Sequence, residues 1–520
     1  MAENKFDKIP QEKFAYVQLD AKLHDQAQSY KPIGYFKDAW MRFRKNKASV
    51  AAAIIILLII LFSFLGPTLS GFTMSDVDGI YKKGRPVCEM FKDSGFWDGG
   101  YQARYNNKYL FYLVGIGMSA EDGDGTGKVS WEDAMASEYA PLLRIGDPYS
   151  EGGVEYRDCR VDSYRMVGFR YVALTREQYD ALAAWEDETG IQVMYPMIDT
   201  KSQYCDVNNA EDANFWYRHA ANSSPLNAAG KKMTTLEDVQ ANGGLEDNYL
   251  RDADGNVLYY VASDSNMVTV RVLYYNYFMY KNGGQEPIHL MGTDGMGYDI
   301  LVRICHGIRL SLILAVCVFL INFTIGTVYG AIEGYYGGVV DLLLERVSDV
   351  LNGIPFIVTA TLFQLHLVNT GKVSTLVGLL FAFVLTGWIG TAYRVRTQFY
   401  RFKNQEYVLA ARTLGAKDGR IMFKHIYPNA LGTIITSSAL SIPSTILTES
   451  TLSYLGIVNF NSKTITSLGT MLSNGQGYLS TDPHIILFPA LFISLLMISF
   501  NLFGNGLRDA FNPSLRGTEE

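Results

Sequence analysis

Six residues between positions 122 and 133 have the types and the spacing of a calcium-binding loop. The oxygen-bearing side chains of Asp122, Asp124, Thr126, Ser130 and Asp133 occupy positions 1, 3, 5, 9 and 12 of such a loop, and Lys128 occupies position 7. A hard cation needs many oxygen ligands, and the glycine at position 6 permits the sharp turn. An acidic surface turn explains the same residues equally well, so both interpretations stay open.

One carboxylate, Glu449, lies in a long apolar stretch near the C-terminal end of the sequence. The segment around it, TSSALSIPSTILTESTLSYLG, is rich in small and hydroxylated residues. Such residues let membrane helices approach closely, line a wet path or hydrogen-bond to another helix. Because a carboxylate that faces lipid is costly, we expect Glu449 to face the bundle or a cavity. Ser437, Ser441 and Glu449 are candidates for lining a translocation path, and a structural hydrogen bond of Glu449 is the equal alternative.

The sequence offers little support for other kinds of chemistry. It has no G-x-x-x-x-G-K-[ST] stretch, so it lacks a phosphate-cradling loop of its own. Cys88, Cys159 and Cys205 lie between the first two apolar spans, where one disulfide with an odd thiol and three free thiols are equally compatible with the sequence. The five cysteines do not have the ligand spacing of a zinc site.

The loop 394–430 is charged and helix-prone, and it lies between two apolar spans. It contains eight Lys or Arg residues and two acids, so the positive-inside bias places it in the cytoplasm. Good helix formers at 406–414, then Gly415, then Asp418 predict a helix, a turn and a second helix that Pro428 ends. The second helix is predicted to present a polar face with Lys417, Arg420 and Lys424 and an apolar face with Met422 and Ile426.

Charge divides the 520 residues into two parts. Residues 71–288 hold 33 Asp and Glu against 20 Lys and Arg, whereas the remainder has an excess of bases, although the whole chain has a net charge of −7. Apolar residues in 71–288 are dispersed among turns and acids. This composition predicts a folded external domain inserted into a membrane protein.

Apolar stretches predict six membrane spans with both chain ends inside. In the polar segment 1–47, Phe36, Trp40 and Phe43 recur at i, i+4 and i+7, which predicts a short helix on the cytoplasmic face. The run 48–70 is about long enough to cross a hydrocarbon core of roughly 30 Å. The remaining spans are predicted at Leu310–Ile332, Ile354–Val368, Ser374–Tyr393, Leu431–Ile457, which Pro443 interrupts, and Ile485–Phe503.

Local signals in 71–288 predict both strands and helices. The stretch 168–195 has the pattern strand, helix, strand, in which Thr175 and Gln178 form a capping-box pair and Gly190 closes the helix. The dipeptide Asp254-Gly255 between short apolar runs is a hairpin signal. The insert is therefore predicted to be an α+β domain.

Several segments outside the insert resemble the membrane-spanning subunits of binding-protein-dependent ABC importers, specifically the dipeptide and oligopeptide permease branch. They are HLMGTDGMGYDILVRICHGIRLSL, EYVLAARTLGAKDGRIMFKHIYPNAL, ESTLSYLGI and NLFGNGLRDAFNPSLRG. In that family the cytoplasmic loop is called the EAA loop, with Glu-Ala-Ala, three residues, Gly and later a hydrophobic residue and Pro. Leu409 stands where the pattern has Glu, whereas Ala410, Ala411, Gly415, Ile426 and Pro428 match it. The resemblance covers 36–70 loosely and 289–516 closely, and it leaves 517–520 as a tail.

This resemblance implies an all-α membrane protein of the type I ABC importer permease type, with six transmembrane helices and an α+β extracytoplasmic insert between spans 1 and 2. It implies a multi-pass protein of the bacterial cell membrane, with cytoplasmic termini, no enzymatic activity of its own and no cofactor beyond the predicted calcium. The implied partners are a second permease subunit, two ATP-binding subunits, an extracellular substrate-binding lipoprotein and a peptide substrate, without nucleic acid. The five matching loop residues would shape a coupling helix in a groove of the ATPase.

Two other functions are weighed against peptide import. Members of the resembling family also carry nickel chelates, and this sequence does not separate the two cargoes. A membrane-anchored receptor or adhesin, with calcium at 122–133, would need only one span. Six predicted spans and an ATPase-docking loop argue against that second function.

Overall fold

The computed structural model describes residues 35–511 apart from residues 128, 200–209, 265, 461 and 463. This part of the chain opens with α1 (Tyr35–Lys45) and α2 (Lys47–Ser70), close to the predicted interfacial helix and first span. Phe43 is buried and packs edge-on against Phe503, with ring centroids 5.5 Å apart. Trp40 is 60% exposed. One face of α1 therefore packs on the end of the last helix, and the other is free to meet a membrane surface.

The segment after α2 folds into two antiparallel sheets with helices between their strands. In chain order its elements are β1 (Gly100–Asn106), α3 (Asn107–Glu121), α4 (Trp131–Ala136), β2 (Leu142–Glu151), β3 (Val154–Asp162), β4 (Phe169–Thr175), α5 (Arg176–Thr189), β5 (Met194–Tyr195), α6 (Leu236–Ala241), β6 (Tyr260–Asp264), β7 (Met267–Leu273) and α7 (Tyr274–Lys281). In the first sheet β3 lies between β1 and β2. In the second, β7 pairs with β4 along one edge and with β6 and β5 along the other. The mixture of helices and strands agrees with the α+β prediction.

Local sequence signals set the ends of α5 as predicted. Thr175 Oγ1 accepts a hydrogen bond from Gln178 N at 3.2 Å, and Gln178 Oε1 accepts one from Thr175 N at 2.9 Å. Gly190 ends the helix with φ +71°. The predicted hairpin turn is also confirmed, because Asp252 N donates to Asn256 O at 2.9 Å across it.

Arg271 on β7 is fully buried in the insert and joins three separate segments. Its guanidinium donates to Ala213 O at 2.7 Å, to Pro196 O at 3.1 Å and to Ser119 Oγ at 2.7 Å. It also lies 3.8 Å from the ring centroid of Phe169. A buried cation is tolerated only where its donors are satisfied, so we assign Arg271 a structural role.

The rest of the chain is almost entirely helical. In chain order its helices are α8 (Ile300–Tyr336), α9 (Gly338–Asn352), α10 (Phe356–Phe363), α11 (Thr375–Gly387), α12 (Ile389–Phe402), α13 (Glu406–Thr413), α14 (Asp418–Arg420), α15 (Tyr427–Ala439), α16 (Ser441–Tyr454), α17 (Leu468–Gly475) and α18 (His484–Phe511). Within the described ranges, five helical stretches are long and apolar enough to cross a membrane: α2, α8, α11 with α12, α14 to α16, and α18. The helices Gly338–Asn352 and Phe356–Val368 pass the same test only together, bent by 71°. The count reaches six if this bent pair is one span.

Three glycines, four residues apart on α8, let α8 and α12 pack backbone against backbone. A Cβ at Gly326 would lie 2.7 Å from Trp388 O, and one at Gly334 would lie 2.6 Å from Phe399 Cβ. A Cβ at Gly330 would collide with the carbonyl of Ala392. This is the small-residue spacing by which membrane helices approach closely. This packing holds α12, whose residues 394–402 belong to the predicted loop 394–430, close against α8.

Two predicted chain features differ from the structure. Pro428 does not end the second loop helix, because a π-helical turn at Ile421–Ile426 continues directly into α15. Pro428 lies in the first turn of α15, where its missing N–H leaves few hydrogen bonds unmade. The second span, predicted at Leu310–Ile332, belongs to a longer helix, since α8 runs from Ile300 to Tyr336 and is followed by Gly337 and Gly338, which both have positive φ.

The first residues of the insert are hydrogen-bonded to the segment that precedes α8. Gly84 N donates to Thr293 Oγ1 at 2.7 Å, and that hydroxyl donates to Tyr81 O at 2.6 Å. Asp299 accepts from Val302 N at 2.8 Å, and its other oxygen lies 2.8 Å from His289 Nδ1. The entry to α8 is therefore built jointly by the insert and the membrane part.

Arg85 ties the insert to the loop before α18. Its guanidinium donates to Thr481 O at 2.7 Å and lies 3.2 Å from Asp482 Oδ1. Trp97, also from the insert, stacks on Phe488 of α18 with ring centroids 5.9 Å apart. The base of the insert thus contacts both the segment that precedes α8 and the start of α18, which are far apart in sequence.

Candidate coupling loop and membrane cavity

The predicted coupling loop forms two short helical segments around Gly415. This glycine has φ +81°, and its N–H donates to Arg412 O at 3.0 Å. A Cβ at Gly415 would meet nothing within 4 Å. The backbone conformation, and not crowding, therefore requires glycine here, which confirms the predicted turn.

The five loop residues that match the EAA pattern differ in exposure. Ile426 is fully buried and Ala411 nearly so, whereas Ala410, Gly415 and Pro428 are exposed. Ile426 packs with other buried side chains of the loop and of α8 and α12. Ala411 and Ile426 are therefore placed to hold the loop on the bundle, and the other three are on its free surface. Their contact with an ATPase stays a prediction.

The predicted coupling loop also has exposed apolar side chains, which sequence reasoning missed. The apolar-face residues Met422 and Ile426 are buried, whereas Lys417, Arg420 and Lys424 are exposed, as predicted. In addition Leu414 is 88% exposed, Leu409 45%, Phe423 44% and Tyr407 40%. Clustered exposed apolar residues on a basic loop are typical of a protein-binding surface. The signal in the sequence was the group of large apolar residues outside the buried face.

Polar contacts bind the loop to the end of α8. Tyr335 Oη donates to Asp418 Oδ1 at 2.6 Å, and the Arg412 guanidinium lies 5.7 Å from the Tyr335 ring centroid. Lys403 Nζ donates to Gly334 O at 3.0 Å. Both segments of the loop are therefore attached to one membrane helix.

A charged cluster joins α9 to α12. Arg396 donates to both oxygens of Asp341, at 2.6 and 2.8 Å, and to both oxygens of Glu345, at 2.9 and 3.1 Å. Tyr400 Oη also donates to Asp341, at 2.5 Å. This cluster was not found from the sequence. The i, i+4 spacing of the two acids was the available signal.

Glu449 faces the helix bundle, as predicted, and its carboxylate is surrounded by hydroxyl groups. Ser311 Oγ of α8 donates to Oε2 at 2.9 Å, Ser453 Oγ donates to Oε1 at 3.0 Å, and Ser450 Oγ lies 3.5 Å from Oε2. The side chain is 1% exposed. This set of donors favours the structural alternative for Glu449, because it links α16 to α8.

A cavity of 180 Å³ lies between α8, α11, α12 and α16. Ser441 lines it, together with Asn322, Arg394, Thr391 and residues Val318, Phe319, Phe323, Phe383, Gly387, Ser444, Thr445 and Thr448. Ser437 and Glu449 are not among its lining residues. The three predicted path residues therefore do not form one site, and Asn322 and Arg394 were not singled out from the sequence.

In the first half of the predicted calcium loop, the Asp122 carboxylate accepts hydrogen bonds from residues of the same loop. Asp122, at the end of α3, is buried, and burial raises the pKa of its carboxyl. Its Oδ1 accepts from Thr126 Oγ1 at 3.1 Å, and its Oδ2 accepts from Gly127 N at 2.9 Å. Asp124 is exposed. These contacts are those of a stable turn.

The second half of that loop starts α4. Ser130 Oγ accepts from Asp133 N at 3.1 Å and donates to Asp133 Oδ2 at 2.6 Å. Lys128 lies outside the described residues. Over the described ranges, no group of three His, Cys, Asp or Glu side chains is placed to hold a metal ion. Calcium binding at Asp122, Asp124, Thr126, Lys128, Ser130 and Asp133 stays a prediction.

The cysteines of the insert do not pair with each other where the structure describes them. Cys88 is half-buried and Cys159 is buried, and both are free. Cys205 lies outside the described residues. Burial raises the pKa of the Cys159 thiol, which makes it a poor nucleophile at neutral pH.

Comparison with known proteins decides the family. Residues 323–517 match the family model of the binding-protein-dependent transport system inner membrane component. Residues 34–84 match the N-terminal TM domain of oligopeptide transport permease C. The oligopeptide transport system permease protein OppC of Bacillus subtilis (strain 168) is 42% identical over 228 residues, which are 44% of this chain and 72% of that protein. The chain belongs to this family of transport-system inner membrane components.

Other relatives of this inner membrane component have similar coverage. The dipeptide transport system permease protein DppC of Bacillus subtilis (strain 168) is 41% identical over 229 residues, 44% of this chain and 69% of the relative. DppC of Lactococcus lactis subsp. cremoris (strain MG1363) is 36% identical over 238 residues, which are 45% of this chain and 67% of that relative. An inward-facing structure of the MetNI methionine ABC transporter is 15% identical, covers 40% of this chain and 96% of that chain, and has a TM-score of 0.33.

The family match includes the functional features described above. The predicted coupling loop, Glu449 and most of the cavity-lining residues lie within residues 323–517, whereas Ser311, which donates to Glu449, lies before this stretch. Most of the α+β insert lies between the two matched stretches. This inner membrane component is thus a multi-pass membrane protein whose relatives are permeases.

Proposed function

We propose that this chain is a membrane-spanning subunit of an ATP-driven importer of oligopeptides or dipeptides. The observation that carries the proposal is the 42% identity to an oligopeptide transport permease over 228 residues. The chain has no phosphate-cradling loop of its own, so two ATP-binding subunits supply the energy. A second, related permease subunit completes the translocation path.

The loop surface around Ala410, Gly415 and Pro428 is the proposed contact with an ATP-binding subunit. Its exposed apolar residues, Leu409 and Leu414 among them, supply area that a partner can bury. ATP-driven closure of the partner subunits would move this loop and rock the attached helices as a rigid body. Such coupling requires different loop contacts in the two states.

The proposed topology has six spans with both termini in the cytoplasm. The bent pair α9 and α10 serves as the third span. The eight bases of the loop 394–430 place that loop on the cytoplasmic side by the positive-inside bias. The insert between spans 1 and 2 then lies outside the cell membrane. Its acidic composition and its sheets suit an aqueous environment.

The proposed translocation path runs along the hydroxylated face of α16. Ser441 lines the membrane cavity, which supports its assignment. Ser437 lies half-buried on α15, where its hydroxyl donates to Ile434 O at 3.1 Å. Glu449 contributes to the path by fixing the position of α16 against α8.

The insert is proposed to contact the substrate-binding lipoprotein or to cover the external mouth. Its firm attachment through Arg85 and Trp97 supports a role that depends on position. Replacing residues 75–285 with a short linker should reduce uptake at limiting substrate. Unchanged uptake would exclude this role.

Purification and transport assays test the proposed function. The chain should co-purify with ATP-binding subunits and a second permease, and proteoliposomes that contain the complex should accumulate labelled peptide only with ATP. Accumulation of a nickel chelate instead of peptides would favour the alternative cargo. Purification of the chain without any ATP-binding subunit would favour the receptor or adhesin.

A further inference from the structure

The membrane cavity contains a cation without an acidic partner. Among the residues the structure describes, no Asp or Glu side chain forms an ion pair with Arg394. Its one side-chain hydrogen bond runs from Nη2 to Thr391 Oγ1 at 3.1 Å. By contrast Arg396, two residues along the same helix, pairs with two carboxylates. Arg394 therefore keeps its charge available inside the cavity.

A donor and an acceptor in this cavity have no partner. Arg394 Nε is buried and makes no hydrogen bond. Asn322 is 8% exposed, and its Nδ2 donates to Phe383 O at 3.3 Å, but its Oδ1 accepts nothing. Buried polar atoms without a hydrogen-bond partner are costly, and each one needs an explanation such as a bound ligand. Together they fit a ligand that offers both an anion and an N–H group.

The opposite wall of the cavity presents hydroxyl oxygens. Ser441, Ser444, Thr445 and Thr448 line the cavity at i, i+3, i+4 and i+7 of α16, so they share one face. The hydroxyls of Thr445 and Thr448 donate to Ser441 O at 2.9 Å and to Ser444 O at 2.8 Å. Their oxygen lone pairs are then free to accept from N–H groups.

We propose that this cavity binds the carboxyl-terminal end of a peptide, with its carboxylate at Arg394 and its last amide N–H at Asn322 Oδ1. The inference rests on the proposed function and deepens it. A volume of 180 Å³ is below the roughly 300–1,000 Å³ of pockets that enclose a drug-sized ligand, so the cavity takes one end of a peptide and not its whole length. An inorganic anion without an O–H group would satisfy Arg394 but leave the Asn322 acceptor unpaired.

Equilibrium binding to the complete permease and ATPase complex in nanodiscs, without the binding protein, tests this site. Labelled trialanine is the probe, and unlabelled trialanine, trialanine amide and inorganic phosphate are the competitors. We expect the amide and phosphate each to compete at least tenfold more weakly than trialanine. Arg394→Gln should weaken trialanine binding at least tenfold and bring the acid and the amide within about twofold of each other, and Arg394→Lys should fall between.

The controls separate binding from folding. Arg346→Gln removes an exposed arginine of α9 that is outside the cavity, and it should bind trialanine as the wild type does. Melting temperature and gel-filtration profile should be unchanged in Arg394→Lys. Equal competition by acid and amide, competition by phosphate as strong as by trialanine, wild-type binding by Arg394→Gln, or no binding to the wild-type complex would each overturn the inference.

Transport by the wild-type complex distinguishes the two proposals. ATP-driven uptake of trialanine without binding at the cavity would overturn the site and leave the importer function intact. Absence of uptake for every peptide tested would overturn the importer function itself.

Discussion

The hydroxyl of Tyr335 donates a 2.6 Å hydrogen bond to Asp418, which joins the last turn of α8 to the start of the second loop segment. The two residues are 83 positions apart in sequence. In the proposed coupling, a displacement of the loop would be passed through this bond to α8 without passing along the chain between the two residues. The contact makes the loop a part of the bundle and not a mobile appendage.

Tyr335→Phe should weaken the coupling between ATP hydrolysis and transport. The substitution removes the hydroxyl and leaves Asp418 Oδ1 without that donor, at an expected cost of about 1 kcal/mol in the free energy of unfolding. We expect fewer peptides transported per ATP hydrolysed in proteoliposomes. Tyr336→Phe is the matched control, because Tyr336 is 52% exposed; equal losses in both variants would contradict the role of the bond.

Gly415→Pro should abolish ATP-dependent uptake while the helix bundle stays folded. Proline cannot adopt φ +81° and cannot make the hydrogen bond from Gly415 N to Arg412 O. The control is Gly419→Ala, since a Cβ at Gly419 meets nothing within 4 Å and this glycine does not have positive φ. Uptake by both variants at the wild-type rate would exclude the loop from coupling.

Gly330→Val should destabilise the membrane part by several kcal/mol. The new side chain would collide with the backbone of Ala392, so α8 and α12 would have to separate. We expect a lower melting temperature of the purified protein in detergent. Gly390→Ala on α12, whose Cβ would make only an ordinary contact at 3.7 Å with Arg394, should leave the melting temperature nearly unchanged.

Glu449→Gln should lower the free energy of unfolding by about 1 to 3 kcal/mol, because an amide cannot accept from all of the serine hydroxyls that surround the carboxylate. Peptide selectivity should not change if Glu449 is structural. A variant with normal stability and altered selectivity would instead place Glu449 on the path. Ser311→Ala, which removes one donor, should show a smaller loss of the same kind.

Asp162→Asn should change how the stability of the insert depends on pH. Burial raises the pKa of the Asp162 carboxyl above its ordinary 3.8, although Arg165 opposes this. The folded state therefore binds this proton more tightly than the unfolded state, so this carboxyl's contribution to stability falls as pH rises from 3.8 through the raised pKa. The asparagine keeps the Oδ1 acceptor for Tyr164 N and Arg165 N. Because it does not titrate, the loss of stability with rising pH that Asp162 causes should be absent from the variant.

Thermal unfolding of the full chain between pH 4 and pH 8 measures the effect. Asp180→Asn, on the exposed face of α5, is the control and should follow the wild-type pH profile. Identical pH profiles for wild type and Asp162→Asn would contradict the predicted proton linkage.

Short-range features of the fold could be predicted from the sequence. The capping box at Thr175 and the turn at Gly415 depend on residues within a few positions of each other, so residue types determine them. Pro428 does not end the loop helix as predicted, because a proline ends a helix only where its position needs the missing N–H. Whether the position of Pro428 needs an N–H depends on the π-helical turn at Ile421–Ile426. That turn leaves no periodic pattern in the sequence.

The sites built from distant segments could not be predicted. Arg394 and Asn322 are 72 positions apart, and only the packing of α8 on α12 brings them to one cavity. The same is true of Ser311 and Glu449, which are separated by 138 positions. Sequence reasoning found that Glu449 had to face inward, since desolvation alone requires it, but it could not say which side chains would meet it.

The anchoring of the insert through Arg85 to the loop before α18 has a practical consequence. If α18 tilts during the transport cycle, the part of the insert that carries Arg85 has to tilt with it, because the guanidinium holds both a backbone carbonyl and a carboxylate of that loop. The orientation of the insert would then report movements of α18 inside the bilayer. A pair of fluorescent labels on the insert and on the binding protein could follow the working cycle in real time.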